Sequence, residues 1–97
     1  IGGGNVLITQ IDGYAVELTG RYPTLINIHR DQPGIITQVT KILAEHNINI
    51  AFMRVSRQSR GEDAMMIIEV DEEIVEKVMQ EVQSVKGVYH CFSIPPI

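Results

Sequence analysis

The 97-residue chain has one cysteine, no tryptophan, and only three tyrosines and two phenylalanines. The lone Cys91 excludes an internal disulfide, a Cys-based zinc site and an iron–sulfur cluster held by this chain alone. It agrees with a reducing compartment, and a cytoplasmic location is expected. Positive charge is also short: eight Lys and Arg stand against twelve Asp and Glu, for a net charge of −4 and a pI near 5.2. That sign opposes a phosphate backbone or an anionic bilayer, so neither nucleic acid nor membrane is expected as a partner. No run approaches the roughly 18 apolar residues of a membrane span, and no signal-peptide pattern opens the chain. An initial Met is missing too. The opening Ile1-Gly2-Gly3-Gly4 reads as a flexible joint at the start of a fragment of something longer. A phosphate-binding loop is the sharper alternative, but neither GxGxxG nor GxxxxGK[ST] occurs.

What is present is ordinary for one soluble domain: 44% hydrophobic and 21% charged residues. Asp12-Gly13 between the β-rich runs 6–11 and 14–18 predicts a two-residue hairpin, with Ile11 facing Tyr14 and Leu7 facing Leu18. Residues 24–29 read as a strand and 30–34 as a turn. Ile35, Ile36, Val39, Ile42 and Leu43 then recur at helical spacing, predicting a helix over 35–46 that Asn47 ends. Residues 48–56 alternate as a strand, with Ile48, Ile50 and Phe52 expected on one side. After a turn at 59–62, residues 64–70 form a strand. Asp71 is expected to cap a second helix over 72–84 through the free amides of its first turn. Residues 88–94 form the last strand, stopped by Pro95-Pro96. A hairpin followed by β-α-β-β-α-β is an α+β, ferredoxin-like arrangement. Right-handed crossovers put both helices on one face of a four-stranded antiparallel sheet. The other face is expected to be partly uncovered, exposing residues such as Leu25 or Ile26 and Met65 or Met66.

This architecture hosts many functions, so each must be tested on residues. An RNA-recognition sheet needs aromatic residues for bases to stack on, and residues 64–70 have none. A metal carrier needs a CxxC loop. An acylphosphatase-like site needs an Arg in a glycine-rich phosphate cradle, whereas Arg30 here sits beside Asp31 and lacks the cradle. His29, His46 and His90 lie on three elements with no metal spacing. His46 reads as a partner for its helix dipole, and His90 and Cys91 point to opposite faces. Arg54, Arg57 and Arg60 read as a solvated edge.

The informative stretch is His29-Arg30-Asp31-Gln32-Pro33-Gly34-Ile35-Ile36. Amides near Gly34 to Ile36 start a helix and lack intrahelical acceptors, so they can hold a carboxylate. Gly34 has no Cβ and lets a small ligand approach the backbone. Asp31 offers an anion for an ammonium group. Together these describe the head group of a free α-amino acid. Two plainer readings stay open: Asp31 caps its own helix, and His29 is a sheet histidine satisfied by a backbone carbonyl.

His-x-Asp-x-Pro-Gly-Ile between a strand and an amphipathic helix resembles the ligand loop of ACT domains, which sense small molecules for amino-acid enzymes. Asn49, in Asn47-Ile48-Asn49-Ile50, also matches. The resemblance covers residues 23–94 and divides the chain into a glycine linker plus hairpin extension, 1–20, and an ACT domain, 21–97. The Gly-Gly-Gly-Asn start, the hairpin and Leu18-Thr19-Gly20-Arg21-Tyr22-Pro23-Thr24-Leu25 resemble the C-terminal part of the β subunits of iron–sulfur L-serine dehydratases. The serine-sensing domain of D-3-phosphoglycerate dehydrogenase is similar in the loop, with Asn where this sequence has Asp31.

The resemblance implies an amino-acid site of His29, Asp31, the backbone at Gly34 and Ile35, and Asn49 contributed by a neighbouring chain. It implies L-serine or another small amino acid as ligand, a homodimer, and a catalytic domain or α subunit as partner. It also implies that a parent enzyme turns serine into pyruvate and ammonia with a [4Fe–4S] cluster held elsewhere. No cofactor and no catalysis are expected of this chain alone. The alternatives are a subunit-association module without ligand and a serine-feedback domain of phosphoglycerate dehydrogenase.

Overall fold

The computed structural model describes residues 7–11, 13–57 and 60–97. The glycine joint at residues 1–4 and the Asp12 half of the hairpin turn lie outside the described residues. Strands β1 (Leu7–Ile11) and β2 (Tyr14–Leu18) pair antiparallel in the expected register, Ile11 opposite Tyr14 and Leu7 opposite Leu18. There follow β3 (Thr24–Arg30), α1 (Ile35–Glu45), β4 (Ile50–Arg57), β5 (Asp63–Val70), α2 (Glu76–Gln83) and β6 (Val88–Ile94). The last four strands form one antiparallel sheet in the order β4-β5-β3-β6. This is the ferredoxin-like arrangement.

The central strands decide the layering. Every residue from Thr24 to His29 in β3 and from Ala64 to Val70 in β5 is buried, and strands apolar on both faces need cover on both. On one face Leu25, Met66, Ile68 and Val70 pack with Ile35, Val39 and Leu43 of α1 and with Val78 and Val82 of α2. On the other face Ile26, Ile28, Met65 and Ile67 pack with Val16 and Leu18 of the hairpin. The expectation of a partly uncovered face over Leu25, Ile26, Met65 and Met66 is therefore corrected: all four are fully buried. The hairpin supplies the cover because β2 alternates, with Val16 and Leu18 buried and Ala15 and Glu17 exposed. Polar contacts pin it as well. The Thr19 hydroxyl donates to Glu69 Oε1 at 2.5 Å, and the Thr19 amide donates to the same carboxylate at 3.3 Å.

Two sequence expectations fail locally. The second helix begins at Glu76, four residues later than 72, and Asp71 does not cap it; its preceding residue Val75 is extended and makes no side-chain cap. Asp71 is engaged elsewhere: its Oδ2 accepts from Asn49 Nδ2 at 2.8 Å, and the Asp71 amide donates to the Asn49 carbonyl at 3.0 Å. Phe52 does not share a side with Ile50. The pairing of β4 with β5 shifts register between them, Ile50 opposite Val70 and Phe52 opposite Glu69, so the extra residue turns Phe52 to the hairpin side. There it meets Tyr22 edge-on, with ring centroids 5.9 Å apart.

The first helix ends as expected at Asn47, which takes a positive φ of 57° that Asn tolerates well. His46 does more than face its helix dipole. Its Nε2 lies 2.7 Å from Glu81 Oε2 and ties the end of α1 to α2.

Candidate functional site

The loop between β3 and α1 is built by local chemistry. Pro33 cannot donate an amide hydrogen, and Gly34 adopts φ 94°, a left-handed conformation that favours glycine. The first helical bond runs from the Gln38 amide to the Gly34 carbonyl at 3.1 Å. Among the described residues no side chain caps α1, and no acidic residue lies in its first turn. The amides of the helix start are thus left to an outside acceptor. The reading of Asp31 as a helix cap is excluded.

Asp31 is held instead by the turn after β4. Its Oδ2 accepts from Arg57 Nη1 at 2.7 Å and from the Gly61 amide at 2.9 Å. Its own amide donates to the Glu62 carbonyl at 2.6 Å. The Gly61 amide and then the Arg57 guanidinium hold the Asp31 carboxyl below the usual carboxylate range. Asp31, Gln32, Pro33, Ile36, Arg57, Arg60 and Gly61 line an open cavity of about 420 Å³. Arg54, Arg57 and Arg60 are exposed at the edge, as expected, and two of them also pair: Arg57 with Asp31 and Arg54 with Glu17 at 2.7 Å.

His29, two residues earlier, is only 2% exposed. Its Nδ1 lies 2.9 Å from the Arg30 carbonyl. A carbonyl only accepts, so Nδ1 carries the hydrogen, and in the neutral ring Nε2 is a bare acceptor. That Nε2 is buried and takes no hydrogen bond among the described residues. The sheet-histidine reading thus accounts for one ring nitrogen and leaves the other unexplained. Asn27, fully buried and on the same face by alternation, repeats the feature: its Nδ2 donates to Met66 Sδ at 3.6 Å, while Oδ1 has no partner.

Asn49 is not brought to this loop. It precedes β4, whereas Arg57 and the Asp31 cavity stand at the other end of that strand, about 26 Å away at ordinary strand rise. Its side chain and amide are engaged by Asp71 and Glu72 of the same chain. Sequence reasoning placed His29, Asp31, Gly34 and Ile35 at one loop. It missed Arg57 and Gly61, whose contacts with Asp31 cross 26 and 30 residues.

A cysteine-held cluster has no ligand set here. Cys91 is half-buried against the core, and desolvation, helped by the charge of Glu76, pushes its thiol up to about 12. His90 beside it is exposed on the opposite face, as alternation predicts. Among the described residues no group of three His, Cys, Asp or Glu is placed to hold a metal. No helix among them is long and apolar enough to cross a membrane.

The ACT-domain family profile matches residues 24–87, spanning the loop, both helices and most of the sheet. The chain belongs to the ACT-domain family. Its fold agrees with the ACT domain from GTP pyrophosphokinase of Chlorobium tepidum, at a TM-score of 0.62 and 13% identity over 76% of this chain and 97% of that one. The regulatory subunit of aspartate kinase from Thermus thermophilus agrees equally, at a TM-score of 0.62 and 20% identity over 77% of this chain and 51% of that one. Among curated proteins, this ACT domain is 35% identical to the probable L-serine dehydratase β chain of Bacillus subtilis, over 97% of this chain and 43% of that protein. It is 30% identical to D-3-phosphoglycerate dehydrogenase of Synechocystis, over 94% of this chain and 16% of that protein. The chain therefore spans less than half the length of these relatives. Both of these matches extend over the hairpin that covers the second face of the sheet.

Proposed function

We propose that this ACT domain is an amino-acid-responsive regulatory module and that it senses L-serine for an L-serine dehydratase. The observation that carries the reading is one loop offering complementary groups, uncapped amides at the start of α1 and the Asp31 carboxylate, next to a buried His29 Nε2 on β3 that has no partner among the described residues. The amides suit a carboxylate and Asp31 suits an ammonium. The likeness to a serine dehydratase β chain over almost the whole chain supports serine as the ligand. An amino acid this small makes only a few charge-assisted hydrogen bonds, at roughly 1.5–3 kcal/mol each before association costs, so micromolar to millimolar affinity follows.

Asn49 enters the site through a second copy in this reading. Strand β4 is a sheet edge that exposes Phe52, Met53 and Val55, and such an edge invites a further strand. Two copies pairing antiparallel along β4 would set the start of one strand, with Asn49, against the end of the other, with Arg57 and Asp31. Ligand held across that contact would favour one pairing over another, and this differential affinity is the coupling open to attached catalytic domains.

Calorimetric titration of the folded chain with L-serine tests the proposal, alongside Asp31→Ala and Asn49→Ala variants. Saturable heat that either variant abolishes is the expected result. A folded chain that gives no heat at millimolar L-serine overturns it. A dimer indifferent to serine and to both substitutions would instead favour the subunit-association reading.

A further inference from the structure

Among the described residues, Asp31 is the one side chain in the proposed site held by a residue of the edge strand. Both of its side-chain contacts, from Arg57 Nη1 at 2.7 Å and the Gly61 amide at 2.9 Å, converge on Oδ2. Oδ1 takes no hydrogen bond among the described residues. The backbone is fixed as well, by the Asp31 amide on the Glu62 carbonyl. We infer that Arg57 is a positioning residue for the amino-acid site: it locks the Asp31 carboxylate through Oδ2 and leaves Oδ1 as the oxygen for a ligand's ammonium. This rests on the loop reading above.

The same strand carries its own control. Arg54 makes an ion pair of equal length, 2.7 Å, with Glu17, and both pairs involve arginine side chains more than half exposed. Exposed pairs of this kind add little to stability. They differ in what the carboxylate does next. Glu17 is about half exposed on the hairpin, whereas the Asp31 side chain is 22% exposed and lines the cavity at the start of α1. A carboxylate left to rotate would lose entropy when a ligand fixed it. Arg57 and Gly61 remove that freedom beforehand, and a planar guanidinium fixes the oxygen's direction better than an ammonium can. Arg57 also ends β4, so the residue that orients Asp31 belongs to the strand proposed to meet the second copy.

The test compares Arg57→Met, Arg57→Lys and Arg54→Met with the wild-type chain. L-serine affinity is read by calorimetry across pH, and the Asp31 carboxyl titration by carbon-detected NMR. Arg57→Met should weaken serine about tenfold, the size of one lost charge-assisted hydrogen bond. It should also raise the pH at which Asp31 protonates and binding fades. Arg57→Lys should recover part of both, and Arg54→Met should alter neither. Arg57→Met that binds serine as the wild type does, or leaves the Asp31 titration in place, overturns the inference while the loop reading stands. A wild-type chain that binds no serine overturns the loop reading, and the role of Arg57 in binding falls with it.

Discussion

Helix α1 starts on a left-handed Gly34 with no acidic residue in its first turn, whereas α2 starts on an extended Val75 with Glu76 already in place. Both helices lie on the same sheet face and bury the same kind of apolar stripe. Their starts carry the same partial positive charge. At α2 the chain answers that charge with its own acid. At α1 it does not: the carboxylate of the preceding turn, Asp31, is bound to Arg57 and Gly61. The difference teaches where this fold has room for an anion from outside.

The largest way to break this contrast is to disturb what α1 rests on. Gly87 has φ 100°, and a Cβ there would lie 2.6 Å from Cδ1 of Ile35, the fully buried first residue of α1. The Gly87 carbonyl also accepts the Arg30 amide at 2.8 Å, so the same glycine holds the end of β3. Gly87→Ala should cost about 2–4 kcal/mol, combining left-handed strain with overpacking. Urea unfolding checks it. Val75→Ala, at the exposed start of α2, should cost less than about 1 kcal/mol. Equal losses at the two sites would mean the helix starts are supported alike.

A smaller effect comes from exchanging the electrostatic states of the two starts. Ile36 is exposed, lines the Asp31 cavity and lies in the first turn of α1. Ile36→Glu should stabilise the helix by about 0.3–1 kcal/mol through the dipole. It should also weaken L-serine binding about tenfold, because a resident carboxylate competes for the same amides. Glu76→Gln should lose a similar stability increment and leave serine affinity unchanged. Denaturant curves and calorimetry on the two variants read both quantities. Serine binding that survives Ile36→Glu would place the ligand carboxylate away from the α1 start.

The contrast was only half legible in the sequence. The open start of α1 is local: a strand ends, Asp31 and Pro33-Gly34 turn the chain, and an apolar stripe begins at Ile35, all within one short stretch. The start of α2 is not local. Asp71 looked like a cap because its natural competitor, Asn49, is 22 residues earlier and meets it only after β4 and β5 have paired. The same reason hid the Arg57 clasp on Asp31 and the docking of the hairpin, where Thr19 reaches Glu69 across 50 residues. Phe52 was misplaced by a single bulge, since alternation assumes an unbroken ladder. Periodicity reports which elements form; it does not report which polar groups find each other once they have.

The smallest expected effect uses Cys91 as a probe of the α2 start. Burial is the larger cause of its raised pKa and the Glu76 charge the smaller, together moving it from 9.0 to about 12. A thiol whose folded pKa is raised contributes stability below its unfolded pKa and loses it as the pH rises toward the folded value. Stability should therefore be insensitive to Cys91 near neutrality and fall between about pH 9 and 12. Alkylation by iodoacetamide should be slow near neutral pH, because the thiolate is the reactive form. Removing the charge with Glu76→Gln should shift the alkylation profile slightly toward lower pH and leave most of the displacement in place. A return of the profile to the ordinary thiol range would make Glu76, rather than burial, the main influence on Cys91. The α2 start would then project its acid into the core far more strongly than its role at a helix end requires.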